Sequence, residues 1–195
     1  MSIPEQRLFV LAVQALSAVI ERIDGVQWEL PADSGMSKGT VRELVEAHAR
    51  DAQWTGHVLT GGTIEDGNKV FGEHPLGDDP KAGWRTIAEG AEAAALALDD
   101  PDKIVHLSFS GAYGEFTARD YLQQVVSYHG LQAWDLARAI KVGDTLPDEL
   151  VHGMTEMLAP VAEQWRELGV FGPAVSVPGD ASDQDKLLAL TGREP

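Results

Sequence analysis

The chain has 195 residues, 44% of them hydrophobic, enough to enclose one sizeable core, so a single domain over residues 1–195 is expected. Its formal net charge of -16, with Lys and Arg scattered, would repel phosphate backbones and argues against nucleic acid as a partner; the acidity itself reads as solubility. There is no cysteine, no run reaches the roughly 18 apolar residues of a membrane span, and Glu5 stands where a signal peptide would be basic. A cytoplasmic protein without disulfides, thiolate chemistry of its own or a membrane partner is therefore expected.

From Pro4 to about Asp24, Leu8, Leu11, Ala12, Ala15, Leu16, Val19, Ile20 and Ile23 recur at helical spacing, giving a first helix with Gly25 as its stop. Val26 to Met36, with Pro31 and Gly35, reads as a loop. Thr40 and Glu43 form a capping box that opens a second helix. Its inward stripe runs through Val41, Leu44, Val45, His48, Ala52 and Leu59, and it ends before Gly61 and Gly62. Thr63 to Gly77 shows no sustained period and is expected as an exposed loop bordering a pocket entrance. Asp79 and Pro80 start an Ala-rich third helix through Trp84, Ile87, Ala91 and Leu96 to about Asp100, whose small residues would suit close packing or a homodimer interface.

Ile104 to Phe109, a turn at Gly111 and Ala112 to Phe116 alternate as a short hairpin that must lie against helices. Thr117 and Asp120 form a second capping box, opening the longest helix, roughly Ala118 to Lys141. Leu146 to Leu168 supplies a last helix, and Gly169 to Pro195 is an extended tail packed on the bundle, with a short amphipathic turn at Asp185 to Leu190. Four or five long helices with one small hairpin define a mainly α class, an up-down bundle.

The segment Trp134-Asp-Leu-Ala-Arg-Ala139 on the longest helix, with Val41-Arg-Glu-Leu-Val45 on the second, resembles the family around mycothiol-dependent maleylpyruvate isomerase, within the DinB-like superfamily. Phe171-Gly-Pro-Ala-Val-Ser-Val-Pro178 followed by Asp185-Lys-Leu-Leu-Ala-Leu-Thr-Gly-Arg193 is similar to the closing signature of an actinobacterial branch of that family. The resemblance implies a DinB-like four-helix bundle and isomerase or thiol-transferase work on a small organic molecule. It also implies one divalent, zinc-like metal that binds the thiolate of mycothiol, lowering the thiol's pKa and holding the nucleophile. The implied ligands are a His on the second helix and, on the long helix, a carboxylate or His followed one turn later by a His. Those positions fall on Ala47, Tyr128 and Gln132, so the resemblance implies an altered or lost metal site.

His48 and His129 stand one residue from Ala47 and Tyr128, a step that turns a side chain by about 100° around its helix. Both fall on inward stripes, His48 with Leu44 and Ala52, His129 with Val125, Val126, Ala133 and Leu136. Three readings stay open. His48 and His129 coordinate a metal with help from Gln132 or water; or they are two satisfied core histidines, the plainer reading, since zinc normally takes three protein ligands. Or the core is a metal-free polar pocket, with Tyr128, His129 and Gln132 as catalytic candidates and His48, Trp54 and His57 as its lining. Such a pocket would serve a small-molecule cyclase or isomerase, or a non-catalytic ligand-binding scaffold.

Trp54 and Trp134 also have a core reading, Asp135 that of a brace, and Glu43 and Glu46 those of a cap and a solvated face. His74, His106 and His152 read as surface or edge residues. Neither a phosphate-binding loop nor a Gly-x-Ser-x-Gly elbow is present in the sequence.

Overall fold

Pro4 lacks an N–H that a helix start would leave unused, and it opens α1 (Pro4–Ile20) in the computed structural model, which describes residues 3–33, 38–105 and 116–195. The helix ends four residues before the expected Asp24. Glu21 to Ile23 tighten into turns, and Gly25, with φ +45°, leads into a short 3-10 segment, Gly25–Glu29. The expected loop over Val26 to Met36 therefore holds structure. It also contains β1 (Pro31–Asp33), antiparallel to β2 (Lys38–Thr40), with Pro31 opposite Thr40.

The capping box at Thr40 forms as the sequence indicates: the Glu43 N–H donates to Thr40 Oγ1, and the Thr40 N–H donates to the Glu43 carboxylate at 2.7 Å. It opens α2 (Val41–Leu59), whose stripe from Val41 through His48 to Leu59 is buried. The segment expected as an unstructured loop contains α3 (Ile64–Val70), capped by Thr63. Two turns are too short to show a helical period in sequence. Asp79 Oδ1 accepts from the Ala82 N–H and opens α4 (Pro80–Leu96), which stops short of Asp100.

Of the expected hairpin, β3 (Ile104–Val105) pairs antiparallel with β4 (Phe116–Thr117); its remainder, with the Gly111 turn and His106, lies outside the described residues. Thr117 and Asp120 cap α5 (Ala118–Ala139), and Lys141, at φ 57°, turns the chain out of the helix. The single last helix expected over Leu146 to Leu168 is two, α6 (Asp148–Leu158) and α7 (Ala162–Glu167). Pro160 sits in the break, where it removes a helical N–H donor. The amphipathic turn of the tail is α8 (Asp183–Leu190), which buries Leu187 and Leu188.

The protein is mainly helical. Helix α1 packs on α5 and α4, α2 packs on α4 and α5, and the four long helices thereby enclose a common core with Phe9, Leu16, Trp84, Leu122 and Leu136 at its centre. Gln6 locks the α1/α4 contact, its amide donating to Ala95 O at 2.7 Å and Leu98 O at 3.0 Å, carbonyls at the end of α4 and just beyond it. No described helix is long and apolar enough to cross a membrane.

Candidate functional site

An inward stripe that is apolar apart from Thr55 places His48 of α2 against the same core that receives His129 from α5. Both side chains are 0% exposed, and their Nδ1 atoms face each other at 3.2 Å. Two nitrogens so placed cannot both carry hydrogen, and two bare lone pairs would repel; the contact is stable with one hydrogen between them. His129 is also ringed by the other two long helices, with Phe9 of α1 edge-on at 5.9 Å and Trp84 of α4 edge-on at 6.5 Å between ring centroids. These rings offer neither nitrogen a conventional acceptor.

Asp51, three residues beyond His48 and hence on the same side of α2, brings Oδ2 to 3.1 Å from His129 Nε2. Among the described residues, both atoms are buried without a hydrogen bond. His48 Nε2 is a second buried nitrogen without a hydrogen-bond partner among the described residues. The side chain of Asp51 is itself 32% exposed, so this group joins the dry pair to the surface. Asp51 escaped the sequence reading. Its signal, a carboxylate one helical turn after an inward histidine, is present in His48-x-x-Asp51 but looks the same as a solvated acidic residue.

Tyr128 lies across His48 with centroids 4.5 Å apart and ring planes 34° apart, and it is half-buried, so it covers the His48 ring from the outer side. Burial, then the negative charge of Asp51, push its phenol above the ordinary tyrosine range. Tyr121 is held up in the same way and exchanges a 2.9 Å hydrogen bond with Thr55, extending the polar seam between α2 and α5. Burial, reinforced by the neighbouring His129, holds the His48 imidazole well below its usual range, partly offset by the nearby Gln132 side chain. His48 is thus a neutral imidazole at physiological pH.

Of the sequence candidates, the structure gathers His48, Tyr128, His129 and Gln132 into one cluster. Trp54 and His57 form a second one, packing edge-on with Phe71 at 5.2 and 5.4 Å under α3, where His57 Nε2 meets Thr63 O at 2.7 Å. Asp135 braces the tail: Arg193 donates to both carboxylate oxygens at 2.9 and 2.7 Å. Trp134 is core, with the Arg138 guanidinium over its ring. His74 and His152 are exposed and lie near Glu46 and Glu156.

The resemblance implies a divalent metal, which needs converging donor atoms. Ala47 has no donor atom, and the Tyr128 phenol is held protonated. The two Nδ1 atoms face one point, but the Asp51 carboxylate lies on the opposite edge of the His129 ring. Among the described residues, no three His, Cys, Asp or Glu side chains converge as a metal site. The residues do not fit a three-ligand ion. Comparison of the chain with family models, with curated proteins and with solved structures finds no match in any of the three.

Proposed function

We propose that the protein is a DinB-like four-helix bundle that binds a small organic molecule and acts on it by acid–base chemistry, with His48 as the proton acceptor, in place of a metal-bound thiol. The closed arrangement of α1, α2, α4 and α5 supports the bundle reading. One observation carries the chemistry: a buried, neutral imidazole whose Nδ1 is engaged by a second imidazole at 3.2 Å while its Nε2 has no hydrogen-bond partner among the described residues. A buried nitrogen without a partner is costly as mere structure, and a bare Nε2 on a neutral ring is what a general base requires. Tyr128 is the cover; rotation of its half-buried side chain opens a path to His48 and presents a phenolic donor beside the base.

The reaction class is proton abstraction next to an electron-withdrawing group, with Tyr128 and Gln132 placed to hydrogen-bond the oxygen that gains charge. It can be tested before any natural substrate is known. A panel of enolisable ketones, esters and keto acids incubated with the protein in heavy water, followed by proton NMR, is expected to show hydrogen–deuterium exchange for at least one compound that His48→Leu slows by about 100-fold. Equal rates for the two proteins across the panel would contradict the proposal.

A further inference from the structure

We infer that Asp51 is the positioning residue of the histidine pair and its outlet to water, an inference that rests on the acid–base reading above. Asp51 Oδ2 and His129 Nε2 are both buried, 3.1 Å apart, and neither has a hydrogen bond to another described group. A turn of the carboxylate about its last torsion, a soft one, aligns them. The His129 Nε2–H then donates to Asp51, which leaves His129 Nδ1 as a lone pair.

The consequence passes through the pair. With His129 Nδ1 bare, the hydrogen in the 3.2 Å contact belongs to His48 Nδ1, and a neutral His48 then carries none on Nε2. One carboxylate at the outer end of the seam thereby sets the tautomer of both rings and keeps the basic nitrogen free. Arg50 sits beside it on α2 with its guanidinium donating to Glu73 O at 2.9 Å and no carboxylate partner among the described residues, so it does not neutralise Asp51 through an ion pair.

The same chain moves a proton with its atoms balanced. As His48 Nε2 takes hydrogen from the substrate carbon, His48 Nδ1 gives its hydrogen to His129 Nδ1. His129 Nε2 passes its hydrogen to Asp51 Oδ2, and a half-turn of the protonated carboxyl carries it to the exposed side of the Asp51 side chain, where water removes it. Each ring gains one hydrogen and loses one, the negative charge stays on the substrate, and return of the proton by the same path restores both tautomers. Asp51 suits the outlet because its side chain is 32% exposed, while both imidazoles are fully enclosed.

The experiment uses full-length protein labelled with nitrogen-15 in histidine, its signals assigned with His48 and His129 variants, and reads which ring nitrogens carry hydrogen in wild type, Asp51→Asn and Asp51→Glu. In wild type, hydrogen on His129 Nε2 and none on His48 Nε2 are expected. Asp51→Asn is expected to lose that arrangement as the major form, because the amide N–H groups donate to His129 Nε2, and Asp51→Glu is expected to keep it. A shared Nδ1 hydrogen present in wild type and unchanged tautomers in Asp51→Asn would overturn the role of Asp51 alone. No shared hydrogen in wild type would overturn the pair and this inference with it. Should Asp51→Asn not fold, a bare His129 Nε2 in wild type overturns the inference without it.

Discussion

Replacing His48 by leucine sets an apolar side chain against His129 Nδ1, 3.2 Å from which a nitrogen had stood, in a site that water does not reach. A buried polar atom stripped of its partner costs about 2 kcal/mol, and His129→Leu inflicts the same loss on His48 Nδ1. In a domain of this length that corresponds to a melting temperature lowered by roughly 4–8 °C for each single variant. His48→Leu with His129→Leu removes both nitrogens at once and leaves two apolar side chains of similar volume against Phe9 and Trp84. Such double replacement is close to neutral or stabilising, so the double variant should lie within about 1 kcal/mol of wild type. Asp51 loses His129 in both the single His129 variant and the double, so its contribution cancels from the coupling. Urea unfolding of the four proteins gives that coupling directly, expected at about 3 kcal/mol in favour of the double. Additive losses, with the double variant the least stable of the four, would mean that the rings are independent packing units and that no hydrogen is shared.

Two further outcomes follow from the same site. Because burial holds His48 below its ordinary value of 6.5, the unfolded chain binds a proton there that the folded chain refuses. The associated stability is complete above about pH 6.5 and is lost as pH falls below it, by up to about 1.4 kcal/mol per pH unit. Melting curves should therefore shift more steeply between about pH 6.5 and 5 in wild type than in His48→Leu, and parallel shifts would contradict this. Gln132→His adds an imidazole beside His48, and calorimetry should find zinc bound at least about tenfold tighter than by wild type. Unchanged affinity would mean that position 132 does not face the pair.

The sequence carries the long elements well, because their starts are chemical. Thr40 with Glu43, Asp79 with Pro80, and Thr117 with Asp120 each cap the helix that they announce. Its misses have physical causes. Helix α3 has seven residues and too few turns for a period, and the pairing of β1 with β2 depends on a backbone ladder of three residues each. Pro160 was in plain view, but the apolar spacing on both sides of it continues and masks the break between α6 and α7.

At the site, the inward direction of His48 and His129 follows from helical spacing alone. Their partnership does not, since it depends on the register of α2 against α5, two helices whose facing residues are 81 positions apart. Asp51 is harder still. It is half-turned to solvent, and only the position of a ring from the other helix distinguishes it from an ordinary surface carboxylate.

One hydrogen joining the two buried imidazoles would give a nitrogen–nitrogen scalar coupling across it, measurable by NMR on histidine-labelled wild-type protein at neutral pH. A coupling between His48 Nδ1 and His129 Nδ1 is expected, with one of the two nitrogens bearing the hydrogen. No coupling, with both rings protonated on Nε2 and their Nδ1 atoms bare, would contradict it.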